Sequence, residues 1–403
     1  MSYQRKPFKG RRRPQSFKKR SFQGRGRSRS FRGRRQPRSF DPTFLIKKTR
    51  FQPRLEVVAI ENDFTDFQVE EKIQINIKNK GYSIPTPIQD KTIPLIIKGN
   101  DVVGVANTGT GKTAAFLIPL VNKVFKNKDE KVLIITPTRE LAGQIQEELI
   151  VIARGLKIFS ALCIGGVAMG RQIRQLRQAP QFVIGTPGRL KDLEQRRILD
   201  LRAFTTIVLD EVDRMLDMGF IHDVQHLISF LPDKRQSLFF SATIEGKVRG
   251  IMNRFLKNPT IVSVKTGSIT DNVDQEIVRI AGRNKIEVLH DLLIKKGFDR
   301  VLVFGRTKWG MEKLSKALID KGFKATAIHG NKTQNQRQRA LREFKSGQVK
   351  VLLATDVAQR GLDIDNVTHV INFDLPETQE DYIHRIGRTG RADKKGFAIT
   401  LMP

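Results

Sequence analysis

Residues 101–118 read Asp101-Val-Val-Gly-Val-Ala-Asn-Thr-Gly-Thr-Gly-Lys-Thr-Ala-Ala-Phe-Leu-Ile118. A short apolar run passes into a glycine-punctuated loop, and a stretch of helical character follows. This strand–loop–helix order is the context that a phosphate-binding P-loop needs. Gly109 and Gly111 let the backbone turn its N–H groups toward phosphate, and the start of the helix adds a favourable dipole. The cradle would consist of Ala106, Asn107, Thr108, Gly109, Thr110, Gly111, Lys112 and Thr113. Lys112 would reach the β- and γ-phosphates, and the Thr113 hydroxyl would ligate Mg²⁺. Ala106 stands where the strict pattern has glycine.

Outward from this loop, short apolar runs alternate with longer segments of helical period. Val132–Thr136, Phe182–Gly185, Thr206–Asp210 and Ser237–Ser241 are such runs, and they resume at Val301–Phe304, Thr326–His329, Val351–Ala354 and Val370–Phe373. The alternation predicts βαβ units around buried parallel sheets, an α/β fold. Between the two series lies the polar stretch Lys265–Asn272. The expected organisation is an arm over 1–55, a first α/β domain over 56–263, a linker over 264–272 and a second α/β domain over 273–403.

A P-loop needs an acidic partner for its metal. Asp210-Glu-Val-Asp213 ends the run Thr206–Leu209, at the carboxyl end of a strand, where α/β sheets bind ligands. Asp210 would hold the Mg²⁺, partly through water, and Glu211 would orient and deprotonate the attacking water. The bland alternative for these acids is a solvated helix start, since Arg214-Met-Leu-Asp217 looks helical.

Together these motifs resemble those of the DEAD-box RNA helicases of superfamily 2, and further pieces match in order over about residues 62–403. Gly81 to Gln89 resembles the Q motif, with Phe64 at its upstream aromatic position. Pro137-Thr-Arg-Glu-Leu-Ala142, Gly165-Gly166, Thr186-Pro-Gly-Arg189 and Ser241-Ala-Thr243 resemble motif Ia, the GG doublet, motif Ib and motif III. Val303–Thr307, Gln334 to Arg337, Ala354–Asp363 and His384–Arg391 resemble motif IV, the QxxR element, motif V and motif VI. Val212 replaces the family's usual alanine in its name-giving motif; as a β-branched residue it is expected to suit a buried strand. The residues end about a dozen positions after motif VI, where the family often continues.

The resemblance implies two RecA-like parallel-sheet domains in tandem with ATP between them, and RNA as second ligand. Gln89 would bond the adenine edge and Phe64 would stack on its ring; a buried Gln89 with its amide satisfied inside the protein is the alternative. Arg388 and Arg391 would stabilise the γ-phosphate in the transition state, and Asp363 would meet the ribose. Asp213, Ser241, Thr243 and His384 would couple the two faces. Arg139, Gly166, Thr186, Arg189, Arg337 and Thr355, with Arg306 as a further candidate, would contact the RNA backbone. Contacts to phosphate and sugar carry no base identity, so little sequence preference is expected. The implied activity is RNA-dependent ATP hydrolysis coupled to local unwinding of short duplexes or to RNA–protein remodelling.

Composition agrees with a polyanionic partner. The 403 residues hold 73 Lys and Arg against 41 Asp and Glu, a net charge of +32. Residues 1–40 carry 16 of those cations, no acid, and Ser-Phe pairs at 16–17, 21–22, 30–31 and 39–40. Such a stretch predicts a disordered basic arm suited to single-stranded RNA, since cations neutralise phosphate and rings stack on bases; a solubilising or localisation tail is the plainer reading. A single cysteine, Cys163, excludes a disulfide framework and a cysteine-built zinc site. No apolar run reaches the length of a membrane span, and the basic, apolar-poor first residues lead us to expect no secretory signal. A monomer in the cytoplasm is expected, with the nucleus open for a eukaryotic source. His222 and His226 lack a third ligand for a metal. His329 reads as a turn residue, His290, His369 and Trp309 as structural or superficial, and Cys163 as a buried inert thiol.

Two other functions are consistent with parts of the chain. An RNA chaperone or ATP-dependent clamp would use the arm with marginal unwinding, and intact Glu211, Arg388 and Arg391 argue for turnover instead. A DNA-directed helicase is disfavoured by the Q motif and by the form of motif VI.

Overall fold

The computed structural model describes residues 59–403 apart from 108, 245, 265–271, 357–363, 365–366 and 391–394. The basic arm, most of the expected linker, Thr108, Asp363 and Arg391 lie outside the described residues.

Two parallel sheets organise the chain. The first contains β1 (Val102–Ala106), β2 (Val132–Ile135), β3 (Ser160–Cys163), β4 (Phe182–Gly185), β5 (Thr206–Asp210), β6 (Gln236–Ser241) and β7 (Thr260–Val264). Their order across the sheet is β3-β4-β2-β5-β6-β1-β7, and every pairing is parallel. Around them run α1 (Glu71–Asn79), α2 (Pro87–Ile97), α3 (Lys112–Lys126), α4 (Arg139–Ile152), α5 (Met169–Arg177), α6 (Pro187–Gln195), α7 (Val212–Asp217), α8 (Ile221–Ser229) and α9 (Lys247–Phe255). The second sheet contains β8 (Val273–Arg279), β9 (Val301–Phe304), β10 (Ala325–Ile328), β11 (Val351–Ala354), β12 (His369–Asn372) and β13 (Gly396–Met402), in the order β10-β11-β9-β12-β13-β8, again all parallel. Its helices are α10 (Lys285–Leu293), α11 (Lys308–Asp320), α12 (Gln334–Lys345) and α13 (Gln379–Ile386).

The strands read as continuous apolar runs because helices cover both faces. Successive residues feed opposite cores: Val102, Val132 and Ile134 pack with α3 residues on one face, while Val103, Val105, Leu133 and Ile135 join Leu190 and Leu227 on the other. The second sheet divides likewise, with Val301 and Val303 on one side and Leu302 and Phe304 on the other. Parallel strands bring all their carboxyl ends to one edge. The P-loop, the acidic tetrad and Ser241-Ala-Thr243 leave the neighbouring strands β1, β5 and β6 along that edge.

Local chemistry sets where the helices begin. Thr86 caps α2 in a capping box with Gln89, and Pro87 occupies its first turn. Thr138 caps α4 through Leu141 N, Thr307 caps α11 through Gly310 N, and Thr333 caps α12 with Gln336.

Candidate active site

Gly109 and Gly111 have φ of 83° and 86°, a region that L side chains rarely adopt. Space adds a second constraint at Gly111. A Cβ there would lie 2.4 Å from the Gln89 amide nitrogen, which donates to the Gly111 carbonyl at 3.0 Å. The Gln89 oxygen accepts from Thr86 N at 2.9 Å, so this buried glutamine ties the start of α2 to the P-loop with both ends of its amide engaged. Phe64, upstream of that glutamine, is buried, stacked on Tyr82 at 6.1 Å and edge-on to Phe67 at 5.9 Å. Ala106 ends β1, and Asn107 accepts from the Thr110 hydroxyl through its carbonyl at 2.7 Å. Lys112 opens α3, buried, its Nζ donating to the Ala106 carbonyl at 2.7 Å; Thr113 follows, half-buried.

Asp210 ends β5 and is buried. Burial pushes its carboxyl up to about 7, against the opposing pull of Lys112, while Glu211 and Asp213 add to the rise. Glu211 adopts φ 54°, a turn that takes the chain out of the strand, and its N–H donates to Asp210 Oδ1 at 3.0 Å. Its own carboxylate pairs with Arg214 Nη1 at 2.9 Å, both side chains more than nine-tenths buried. Val212 is not in the strand as its β-branched side chain suggested. The turn at Glu211 ends β5 first, so Val212 is the first residue of α7, where it still packs into the core with Val105, Leu209 and Phe239.

Asp213 links two motifs: its Oδ2 accepts from Ala242 N at 3.0 Å, and its Oδ1 from Arg214 N at 3.0 Å. Ser241 is buried at the end of β6, and its hydroxyl accepts from Thr243 N at 3.4 Å. From the second domain, His384 on α13 reaches the same cluster. Burial holds its imidazole below the ordinary range, helped by Arg214 and Arg388 and opposed by Asp213 and Asp217. Arg388 is itself buried just beyond α13. The structure thus brings together Lys112, Asp210, Glu211, Asp213, Ser241, Thr243, His384 and Arg388. Hard oxygen donors at Asp210 and Thr113 fit a Mg²⁺ ion, whose charge would favour the ionised form that burial disfavours at Asp210.

The remaining candidates form a second group. Arg139 begins α4 with its guanidinium over the Gly165-Gly166 doublet: a Cβ on Gly166 would lie 2.3 Å from Nη1, so the glycines leave the room that the arginine fills. Thr186 precedes α6, and Arg189 on its first turn donates to the Val167 carbonyl at 3.4 Å. Thr355 is buried after β11. Arg337 pairs through Nε with Glu140 at 3.1 Å; Glu140 also accepts from Gln334 Nε2 at 3.1 Å. Sequence alone assigns Glu140 no role, although it stands inside the Pro137–Ala142 stretch. The same holds for Arg385, fully buried in motif VI. It pairs with Asp356 through Nε and Nη2 at 2.6 Å each, and with Asn372 and the Asp374 carbonyl through Nη1. A charge inside a motif was the signal for both; its partner could not be read locally.

The other singled-out residues have structural partners. His226 meets Glu194 at 2.9 Å, and buried His329 meets Glu312 at 2.8 Å, so His329 does more than close a turn. His369 stacks on Phe298 at 3.7 Å and on Phe397 at 5.0 Å. Cys163 is buried, and burial pushes its thiol up to about 12.

The DEAD/DEAH box helicase family model matches residues 86–251, and the helicase conserved C-terminal domain model matches 284–393. The chain is 46% identical over 341 residues to the ATP-dependent RNA helicase CshA of Listeria monocytogenes, covering 84% of this chain and 66% of that protein. It is also 46% identical to the DEAD-box ATP-dependent RNA helicase CshA of Bacillus subtilis, covering 84% of this chain and 69% of the relative. Among solved structures it resembles S. cerevisiae Dbp5 bound to RNA and ADP BeF3, with 29% identity, TM-score 0.73, and 84% and 89% of the two chains covered. It resembles a DEAD box protein from Methanococcus jannaschii with 39% identity, TM-score 0.51, and 84% and 93% covered. With both domain models matched in order and relatives of this identity along most of its length, the chain belongs to the DEAD-box family of ATP-dependent RNA helicases.

Proposed function

We propose that this chain couples ATP hydrolysis to the local separation of short RNA duplexes or to the removal of proteins from RNA. The observation that carries this reading is the cluster in which Lys112, Asp210, Glu211 and Asp213 of the first domain meet His384 and Arg388 of the second. ATP phosphates would lie in the P-loop cradle, where Lys112 exchanges the Ala106 carbonyl for phosphate oxygens. Mg²⁺, held by Thr113 and Asp210, would neutralise charge on the phosphates. Glu211 takes the proton from the attacking water, and Arg214, paired with it at 2.9 Å, keeps that carboxylate aimed. Arg388, with Arg391, stabilises charge on the leaving γ-phosphoryl group. Asp213 passes the state of this site to Ser241-Ala-Thr243 through Ala242 N, and to the second domain through His384.

RNA would cross the other end of the cleft, over Arg139, Gly166, Thr186, Arg189, Thr355 and Arg337. Such contacts read the backbone, so single strands and short duplexes of any sequence would serve. Both ligands span two domains, so each favours closure and strengthens the other by linkage. The higher TM-score to a protein bound to RNA and a nucleotide, despite lower identity, supports a closed arrangement, since a two-domain chain is scored on domain placement as well as on each sheet. The single buried thiol suits a reducing cytoplasm, and we take the acting species to be a monomer.

Steady-state ATP hydrolysis, measured without nucleic acid and with single-stranded RNA or DNA of matched length, tests the reading. RNA alone should stimulate the rate. Glu211→Gln should lower it by about 10²- to 10⁴-fold, the usual contribution of a general base, while ATP-dependent RNA retention persists. Equal stimulation by DNA would replace RNA as the substrate class. Retention without any hydrolysis in the unaltered protein would make it a clamp.

A further inference from the structure

Trp309 is the only tryptophan in the chain, and 73% of its surface is exposed. Its indole makes no hydrogen bond, ring contact or ion pair with the described residues. Isolated apolar side chains on a surface are ordinary. Three features set this one apart. It lies on the first turn of α11, directly after the β9 strand end, at the same sheet edge as Thr355 and the α12 residues Gln334 and Arg337. Residues 306–310 are all exposed, so the ring stands on an open rim. Two cations stand near it in sequence: Lys308, which donates to the Asn331 amide oxygen at 2.9 Å, and Arg306, whose guanidinium donates to the Leu375 carbonyl at 3.5 Å and whose backbone N–H donates to Asp374 Oδ2 at 2.9 Å.

Direction follows from helix geometry. Side chains lean toward the amino end of their helix, and the first turn of α11 opens at the carboxyl edge of the sheet. The indole therefore leans outward past the strand ends. The first turn is held firmly, with Thr307 capping Gly310 N at 3.0 Å and Gly310 lacking the Cβ that would lie 2.8 Å from that hydroxyl. The platform is thus an aromatic ring on a fixed helical turn, with cationic side chains close by in sequence. That is the combination that holds single-stranded nucleic acid without sequence preference, because every base has a π-face.

We propose that Trp309 is an RNA contact of a different kind from the backbone contacts: a stacking platform for one unpaired base of the bound strand. The inference rests on the proposed RNA cleft and adds a base contact on the second domain. A stacked base would fix the strand against the domain that moves on closure, and a base on the indole is withheld from its complement.

The single tryptophan supplies its own probe. Indole emission of the full chain, excited at the red edge of absorption, is followed while single-stranded RNA is added with a non-hydrolysable ATP analogue; anisotropy of labelled RNA gives binding independently. Emission should be quenched with the same midpoint as the anisotropy. Trp309→Ala should weaken binding about 5- to 100-fold, or about 1–3 kcal/mol at tenfold per 1.4 kcal/mol, and Trp309→Phe should restore most of it. A strand carrying abasic sites opposite the platform should bind both proteins alike. Saturated anisotropy with unchanged emission, and equal affinity for Trp309→Ala, would overturn the stacking role while leaving RNA binding intact; the exposed ring would then be free for a protein partner. Equal quenching by the abasic strand would also overturn it, because the ring would be sensing closure and not a base. Absence of RNA binding in the anisotropy would remove the parent reading and this one together.

Discussion

At the carboxyl edge of the first sheet, charged groups are answered from within the same domain. Lys112 bonds the Ala106 carbonyl, Glu211 pairs with Arg214, and Asp213 accepts from Ala242 N. At the edge of the second sheet the prominent charges are arginines. Arg385 is answered at home by Asp356, but Arg337 is answered across the cleft by Glu140. The first edge is a self-supporting receptacle of acids and one lysine, suited to the phosphate and metal proposed for it. The second brings positive charge to a site that it does not contain. A site divided this way is complete only when the domains meet, so a chemical step can report whether RNA has drawn them together.

The largest change is expected where the second edge depends on itself. Arg385 is fully buried and bonds four oxygens on Asp356, Asn372 and Asp374. Arg385→Ala leaves Asp356 facing an unfilled, partly buried space, and breaking such a pair costs about 3–5 kcal/mol. Thermal melting should show the second domain unfolding well below the first. A melt within about 1 kcal/mol of the unaltered protein would mean that Asp356 is solvated and the two edges do not differ in this respect.

A smaller effect is expected where the edges meet. Glu140 is buried and holds both Gln334 and Arg337. Glu140→Gln keeps the shape and removes the charge. The factor by which a non-hydrolysable ATP analogue tightens RNA binding should fall by about tenfold, within the usual range of coupling energies. RNA affinity measured with and without the analogue gives that factor directly. An unchanged factor would show that Glu140 and Arg337 touch without communicating, and would return Arg337 to a role on RNA alone.

What could be read from the chain beforehand follows the same division. Strands buried on both faces announce themselves as apolar runs, so most strands of both sheets are legible; the edge strands β7 and β8, partly exposed, and β13 beside β8 are not. The P-loop and the acidic tetrad were legible because their spacing is local. Val212 was assigned to a strand because β-branching argues for one, but Glu211 with φ 54° ends β5 before it. Gln89 shows a different limit. Its residue type suits a base edge, and it also closes a capping box and bonds the Gly111 carbonyl, a contact 22 residues away in sequence. The Glu140–Arg337 pair is nearly two hundred positions apart and depends on how two domains sit, which no spacing encodes. Trp309 reads from sequence as structural or superficial, because a lone tryptophan carries no spacing signal; its exposure on the first turn of α11 supplies a place and a direction.

The subtlest contrast is in pH. Burial raises the Asp210 carboxyl of the first domain from an ordinary 3.8 to about 7. Between about pH 4 and 7 the folded form therefore holds a proton that the unfolded chain has lost, and stability falls as pH rises through that window. Burial lowers the His369 imidazole of the second domain from 6.5 to about 4, against the opposing pull of Asp299. Between pH 6.5 and 4 the unfolded chain gains a proton that the folded form refuses, and stability falls as pH drops. The two domains should thus respond in opposite senses across the same range. Melting followed from pH 4.5 to 8 should show the first domain losing several degrees toward the alkaline end and the second losing a few toward the acid end. Asp210→Asn should flatten the first trend and raise the melting temperature near pH 8 while hydrolysis is lost, because a neutral amide no longer resists burial. His369→Phe keeps a ring between Phe298 and Phe397 and should flatten the second. Parallel trends in the two domains, or trends that survive both substitutions, would show that other groups govern the pH response and that burial at these two positions is not what separates the domains.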